Sequence, residues 1–285
     1  MLVTGATGNV GSRVVAALLT AGRRVRAAGS NADSVFARFG DQVDAVSFDF
    51  TDPTTWAEAY AGVEQMFLMR PPHLGKPKTQ MLPSLEAAKA AGVRQMVLLS
   101  LQGAEHNRVV PHAALEAWLR RSGLDWTFVR AAFFMQNLTT THLTDIRDRD
   151  AITVPAGSGA TAFVDARDVA AVAAEALLKP TLHRNAAWTP TGPQAITYAE
   201  VADVLSDVLG RPIRYEKPGM LRYARHAYST LGMPWRMVAV TTAIYTVARL
   251  GRAAGLTDDV VAVTGRRPVS FREFAERERA VWTRA

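Results

Sequence analysis

The chain has no cysteine, which excludes disulfides, zinc–thiolate sites and thiol catalysis together. It has no apolar run long enough to span a bilayer, and no repeat, linker or low-complexity tract. Its basic residues cluster no further than pairs (Arg23-Arg24, Arg120-Arg121, Arg266-Arg267). The net charge of +7 is therefore spread over the chain, without the basic stripe and interleaved aromatics of a nucleic-acid binder. No nucleic-acid and no membrane partner is expected, and the carboxylates show no spacing that suggests a metal site. Met1 opens the first apolar strand directly, which leaves no room for a signal peptide. The expectation is a soluble, cytoplasmic protein.

What the chain does have is an ordinary globular composition, 48% hydrophobic and 21% charged over 285 residues, and one prominent turn. Residues 1–12 read Met-Leu-Val-Thr-Gly-Ala-Thr-Gly-Asn-Val-Gly-Ser, a short apolar strand running into Gly5, Gly8 and Gly11. A helix follows at once, with Val10, Val14, Val15, Leu18 and Leu19 at helical spacing and a stop at Gly22. Strand, glycine turn and helix form the context of a dinucleotide-binding fingerprint. Gly5 permits the tight turn, Gly8 lets the backbone approach a pyrophosphate, and Gly11 lets helix and strand pack closely. The free N–H groups of the helix then face the anion. With Thr7, Asn9 and Val10 between the glycines, the turn is the predicted pyrophosphate site.

Apolar strands and amphipathic helices alternate after it. Strands are predicted at 24–28, 43–48, 65–69, 94–100 and 126–130, and helices at 31–39, 53–60, 79–91 and 112–122. Strands that are continuous apolar runs, separated by helices, imply a parallel sheet covered on both faces. The fold class is α/β, a doubly wound parallel sheet of the Rossmann type. From residue 151 the rhythm changes: two short β runs surround Ala156-Gly-Ser-Gly159, Asp168 is placed as the cap of a helix at 169–178, and the tail from 219 reads as mostly helical. The expected division is a dinucleotide-binding domain over 1–150 and a smaller, mostly helical substrate-side lobe over 151–285, partly interleaved with it. The tail aromatics Tyr223, Tyr228, Trp235, Tyr245 and Trp282 read more readily as core than as pocket wall.

Several segments together resemble the atypical short-chain dehydrogenases/reductases of the NmrA-like group. They are Val3–Gly11, Asp49-Phe-Thr-Asp52, Ala91–Ser100, Ser122–Arg130, Phe133-Phe-Met-Gln-Asn137 and Val164–Val169. Thr264–Phe274 is similar to the C-terminal signature of the branch containing festuclavine dehydrogenases, ergot-alkaloid-pathway reductases that act on an iminium. The resemblance implies that Asp49 and Phe50 line the adenine and that Met69, Arg70 and Pro71 lie along its ribose.

The cofactor follows from the residues after strand 2. NAD sites place an acidic side chain there to bond the ribose 2′-hydroxyl, whereas this chain has Gly29-Ser30-Asn31. That leaves room for a 2′-phosphate, with Ser30, Asn31 and Arg13 as donors. NADPH is favoured, and NADH stays possible.

Short-chain reductases use a Tyr-x-x-x-Lys pair, in which the ammonium lowers the tyrosine pKa so that the phenol acts as a general acid. Aligned on Glu116 and the following Ser-Gly-Leu, this chain holds Arg108 and His112 at those positions. Arginine does not release a proton. A reductase built this way needs an acceptor that takes no proton from a tyrosine: an iminium, quinone or enone. Ser100, Gln102 and His112 are then expected around the nicotinamide, with Ser100 and His112 the catalytic candidates. Phe133, Phe134 and Asn137 are expected on the substrate side, and Glu105 or Asp165 beside a cationic substrate. Two alternatives remain open: a non-catalytic nucleotide-binding redox sensor of the NmrA type, and non-redox chemistry on a retained scaffold.

Overall fold

The computed structural model describes residues 1–284. In chain order its strands are β1 (Leu2–Thr4), β2 (Arg26–Gly29), β3 (Asp44–Ser47), β4 (Gln65–Met69), β5 (Gln95–Leu101), β6 (Asp125–Ala131), β7 (Phe133–Phe134), β8 (Ala151–Ile152), β9 (Thr161–Val164), β10 (Ala186–Trp188), β11 (Ala195–Ile196) and β12 (Arg214–Tyr215). They fall into two compact units. The first comprises Met1–Ala131, Ala166–Pro190 and Asp259–Gly265; the second comprises Ala132–Asp165, Thr191–Asp258 and Arg266–Ala285.

The first unit holds a seven-stranded sheet in the order β10-β6-β5-β4-β1-β2-β3, every neighbouring pair parallel. Chain order reverses between β1 and β4, so the carboxyl ends of these strands open the crevice in which doubly wound sheets bind ligands. Val3, Phe67, Val97 and Val129 carry no exposed surface, as expected of central strands covered on both faces. The register sets Met69 beside Leu99, and Ser100 beside Arg130. On one face, a core of Leu2, Met66, Leu68, Met96, Leu98 and Phe128 packs with Leu85, Leu115 and Leu119 from the covering helices.

The second unit has a three-stranded sheet, β11-β9-β7, and a two-stranded one, β12-β8. Its core gathers Phe163, Tyr198, Tyr223, Tyr245, Phe271, Phe274 and Trp282. Tyr223, Tyr245 and Trp282 are buried, whereas Tyr228 and Trp235 stack on each other, ring centroids 4.7 Å apart, with more than half their surface exposed or close to it.

Two boundaries differ from the sequence reading. A cut at residue 150 falls inside the second unit, because the chain leaves the large sheet at Ala131 and returns at Ala166 to supply a helix and β10. Asp168 does not precede its helix: the helix Ala166–Leu178 starts three residues before the expected 169 and takes Asp168 into its first turn. An acidic side chain there suits the helix dipole equally well, so sequence alone favours neither placement.

Trp282 carries no exposed surface, and its Nε1 donates to the Leu138 carbonyl at 3.0 Å. Trp282→Ala should lower stability by about 3–5 kcal/mol, the range for emptying a buried aromatic site. Urea unfolding followed by circular dichroism checks this; a loss below about 1 kcal/mol would refute the packing role.

Candidate functional site

The glycine turn crosses from β1 to the helix Gly11–Thr20. Gly5 has φ +62, a left-handed conformation natural to glycine. A Cβ there would collide with Met69 Cε, and one on Gly11 would collide with the Gly5 carbonyl oxygen. The backbone collision fixes Gly11, and the left-handed φ rather than the movable Met69 tip favours glycine at Gly5. Gly8 differs. A Cβ there would stand 3.2 Å from the Gly5 oxygen, a tight backbone contact rather than a collision, and meet nothing else within 4 Å. Thr7, Gly8 and Asn9 are exposed, and Val10, at the helix N-cap position, supplies no side-chain cap. No side chain caps the helix, whose Ser12 and Arg13 N–H groups are taken by the Gly8 and Val10 carbonyls at 3.0 Å each.

Two arginines flank the turn. Arg13 Nη1 donates to the Asn9 carbonyl at 2.5 Å, and Arg38 Nη1 to the Thr7 carbonyl at 3.3 Å. Arg38 sits in the helix Ala32–Phe39, nine positions past the end of β2, where a search for a basic residue directly after the strand does not reach. Asn31 Oδ1 caps that same helix, accepting from the Asp33 N–H at 2.7 Å and the Ser34 N–H at 3.4 Å. Ser30 is exposed beside it. Asp49 makes its own turn: its carboxylate accepts from the Thr51 N–H and hydroxyl, both at 2.7 Å, and these bonds hold its pKa below the ordinary value. The Phe50 ring is buried edge-on against Phe48, centroids 4.7 Å apart. It is a core ring, so contact with an adenine falls to the exposed Asp49 and the backbone between them.

The densest polar network stands at the carboxyl ends of β5 and β6. Glu116, on the helix Pro111–Leu119, carries no exposed surface. It accepts from Arg130 Nε at 3.0 Å and Nη2 at 2.8 Å, from Arg120 Nη2 at 3.0 Å and from Ser100 Oγ at 2.7 Å. Burial works against its charge, but the bonds from Arg130 and Ser100 and the two guanidinium charges outweigh it and hold the carboxyl below its usual pKa. Arg130 also pairs with Glu105 at 3.3 Å. Ser100 is thus a partner of Glu116, and Glu105 is already paired. Gln102 N–H donates to the Ala131 carbonyl at 3.0 Å and its side chain is half-buried.

One turn before Glu116 on the same helix stands His112, half-buried, with a buried Nδ1 that has no hydrogen-bond partner. Burial, then the nearby Arg70 charge, push its pKa down to about 4 against the opposing pull of Glu116. Met69 turns its side chain to Gly5, and Arg70, the next residue, stands near His112. Arg70 Nη1 donates to the carbonyls of Pro71, Pro72 and Leu74 at 2.9, 3.2 and 3.0 Å, while its buried Nε has no partner.

The expected substrate-side residues lie in the second unit. Phe133 packs edge-on to Phe163 at 5.8 Å within its core. Phe134 pairs with Val164 in the β7–β9 ladder and is half-buried. The Asn137 carbonyl accepts from the His142 N–H at 3.0 Å. Asp165 departs from expectation. It is fully buried and accepts from Gln136 Nε2 at 2.8 Å and Arg277 Nη2 at 2.5 Å. Its charge is already neutralised, which corrects its reading as a partner for a cationic substrate. Among the described residues no group of three or more metal-ligating side chains occurs, and no helix is long and apolar enough to cross a membrane.

The sheet order and the turn define a dinucleotide-binding Rossmann protein, and comparison with known proteins agrees. Residues 5–180 match a family model described as NAD(P)H-binding. The chain is 37% identical to the NAD(P)H azoreductase of Xenophilus azovorans, over 99% of each chain. It is 32% identical to the festuclavine dehydrogenase of Aspergillus fumigatus, over 70% of this chain and 69% of that one. Its fold matches that of the triphenylmethane reductase of a Citrobacter species, solved with NADP(H), with a TM-score of 0.83, 26% identity, and coverage of 97% and 98%. The chain belongs to the NAD(P)H-binding family of atypical short-chain dehydrogenases/reductases and is an oxidoreductase.

The depressed His112 pKa is directly measurable. Its folded value lies below that of the free imidazole, so the folded state loses stability as pH falls from 6.5 toward 4. By NMR the His112 ring resonances should stay fixed from pH 8 to about 5.5; a midpoint near the unperturbed 6.5 would show that its surroundings are not as described.

Proposed function

We propose that the protein is an NADPH-dependent reductase that delivers hydride to a small organic acceptor of the iminium, quinone or enone type without a Tyr–Lys pair. The observation that carries this reading is the exposed glycine turn, open at Gly8, uncapped at the helix N-terminus and flanked by two arginines. In this reading Gly5, Thr7, Gly8, Asn9, Val10 and Gly11 hold the pyrophosphate, and Ser30, Asn31, Arg13 and Arg38 receive the 2′-phosphate. Asp49 and the Phe50 backbone border the adenine, and Met69 closes the turn from below. Bound NADPH supplies the hydride. Phe133, Phe134 and Asn137 are carried as substrate-binding residues.

The acid chemistry is what the site lacks. The first unit has one tyrosine, Tyr60, which is buried against Ser84 with its pKa raised by burial. His112 is neutral at pH 7, so it donates a hydrogen bond but does not serve as a charged acid. Ser100 is committed to Glu116, and its part is to position that network. What remains for this chain to do is to bind, orient and stabilise charge. The names of the relatives, an azoreductase and a festuclavine dehydrogenase, support an acceptor of this kind.

A fluorescence titration with NADPH and NADH is the deciding test. Micromolar binding followed by turnover of at least one quinone, enone or imine supports the reductase; tight binding without turnover across the panel would favour the redox sensor. Gly8→Val, where circular dichroism shows that it folds, should weaken NADPH binding by about tenfold or more by filling the pyrophosphate approach. Unchanged affinity in the folded variant would move the cofactor elsewhere. Replacing Arg13 and Arg38 together with Gln should narrow the NADPH-over-NADH preference by about tenfold, the scale of one lost charge-assisted bond.

A further inference from the structure

The charges at the carboxyl ends of β4, β5 and β6 do not balance evenly. Met69 pairs with Leu99 in register, and Ser100 with Arg130, so Arg70 follows β4 at the level of the Ser100–Arg130 row. Both arginines are partly withdrawn from water. Arg130 is matched twice over, by Glu116 and Glu105. Arg70 forms no ion pair among the described residues, and Nη1 alone carries its hydrogen bonds. Its Nε is buried without a partner, as is His112 Nδ1. The three carbonyl bonds staple the 71–74 loop, which accounts for one of the three guanidinium nitrogens. An uncompensated, half-buried guanidinium is costly unless an anion arrives. A histidine kept neutral beside it adds a hydrogen bond without adding charge.

We propose that Arg70 and His112 form an anion-receiving subsite for the acceptor, so that the substrates are conjugated carbonyl compounds, quinones or enones, whose oxygen becomes negative during reduction. This rests on the reductase reading above and narrows it. Hydride adds to the electrophilic carbon of the acceptor, the conjugated electron pair moves onto the carbonyl oxygen, and the oxyanion takes its proton from water. Arg70 stabilises that oxygen before the proton arrives, a service a tyrosine acid would otherwise render. An iminium is disfavoured in the same place, since it would bring a second positive charge to an unpaired guanidinium.

The test uses benzoate, benzamide and benzylammonium, matched in shape and differing in charge, titrated into the protein by calorimetry with and without saturating NADPH. Wild type should bind benzoate at least about tenfold more tightly than the other two. Arg70→Met should abolish that preference while leaving the NADPH dissociation constant within about twofold, and Arg70→Lys, which keeps the charge but not the fork, should retain part of it. If Arg70→Met does not fold, the wild-type selectivity and the Lys variant still decide. Equal binding of the three probes, or tighter binding of benzylammonium, overturns the proposal. So does a loss of NADPH affinity in Arg70→Met with benzoate binding intact, which would assign Arg70 to the cofactor. Nucleotide binding without Arg70-dependent anion binding sinks the subsite and spares the reductase. Arg70-dependent anion binding without nucleotide binding sinks the reductase and spares the subsite.

Discussion

The carboxylate of Glu116 ties the catalytic end of the first unit together. It is fully buried yet charged, and it reaches β5 through Ser100, β6 through Arg130, and its own helix through Arg120. Burying such a charge is tolerable only because every oxygen is met by a strong donor; removing one partner of a buried pair costs about 3–5 kcal/mol. The network therefore fixes where the helix Pro111–Leu119 sits against the sheet, and with it where His112 stands. The hydroxyl at the end of β5 and the carboxylate on the helix serve this geometry, and neither has a free proton to give an acceptor.

Charge accounting around Glu116 then determines what chemistry the rest of the site can perform. With Arg130 and Arg120 neutralised, the remaining unpaired charge is Arg70, and its field helps keep His112 neutral. A lysine at the position of His112 would face the same desolvation beside an existing guanidinium and would lose its charge readily. On the reading proposed above, a site that already holds one uncompensated cation is a poor place for a second.

The α/β class, the parallel order and the nucleotide turn were legible because each rests on local signals: apolar runs, glycines at fixed spacing, stops at Gly22 and Gly92. The interleaving of the two units was expected in outline, but its crossing points were not legible, since β10 pairs with β6 across more than fifty residues of sequence and no local pattern records it. Met69 and Arg70 show the limit most clearly. The two are neighbours in sequence, but they point to different surroundings, one to Gly5 and the other toward His112. Only strand register reveals that. Asp165 was named but assigned to a cationic substrate for the same reason, because its partner Arg277 lies 112 residues away.

The unequal roles of the three glycines bear on how the site admits a cofactor. Gly5 is favoured by its left-handed φ of +62 and Gly11 is held small by the Gly5 carbonyl oxygen, so their absence of a side chain is accounted for within the fold. Gly8 meets only one backbone oxygen at 3.2 Å, and its N–H is bonded back to Gly5 at 2.9 Å, which holds the exposed turn in shape without filling the space above it. A side chain at Gly8 would press on one backbone oxygen and would occupy the approach to the helix N-terminus. In the proposed reading that approach is kept for the pyrophosphate, which the positive field of the helix end and the neighbouring Arg13 and Arg38 would attract.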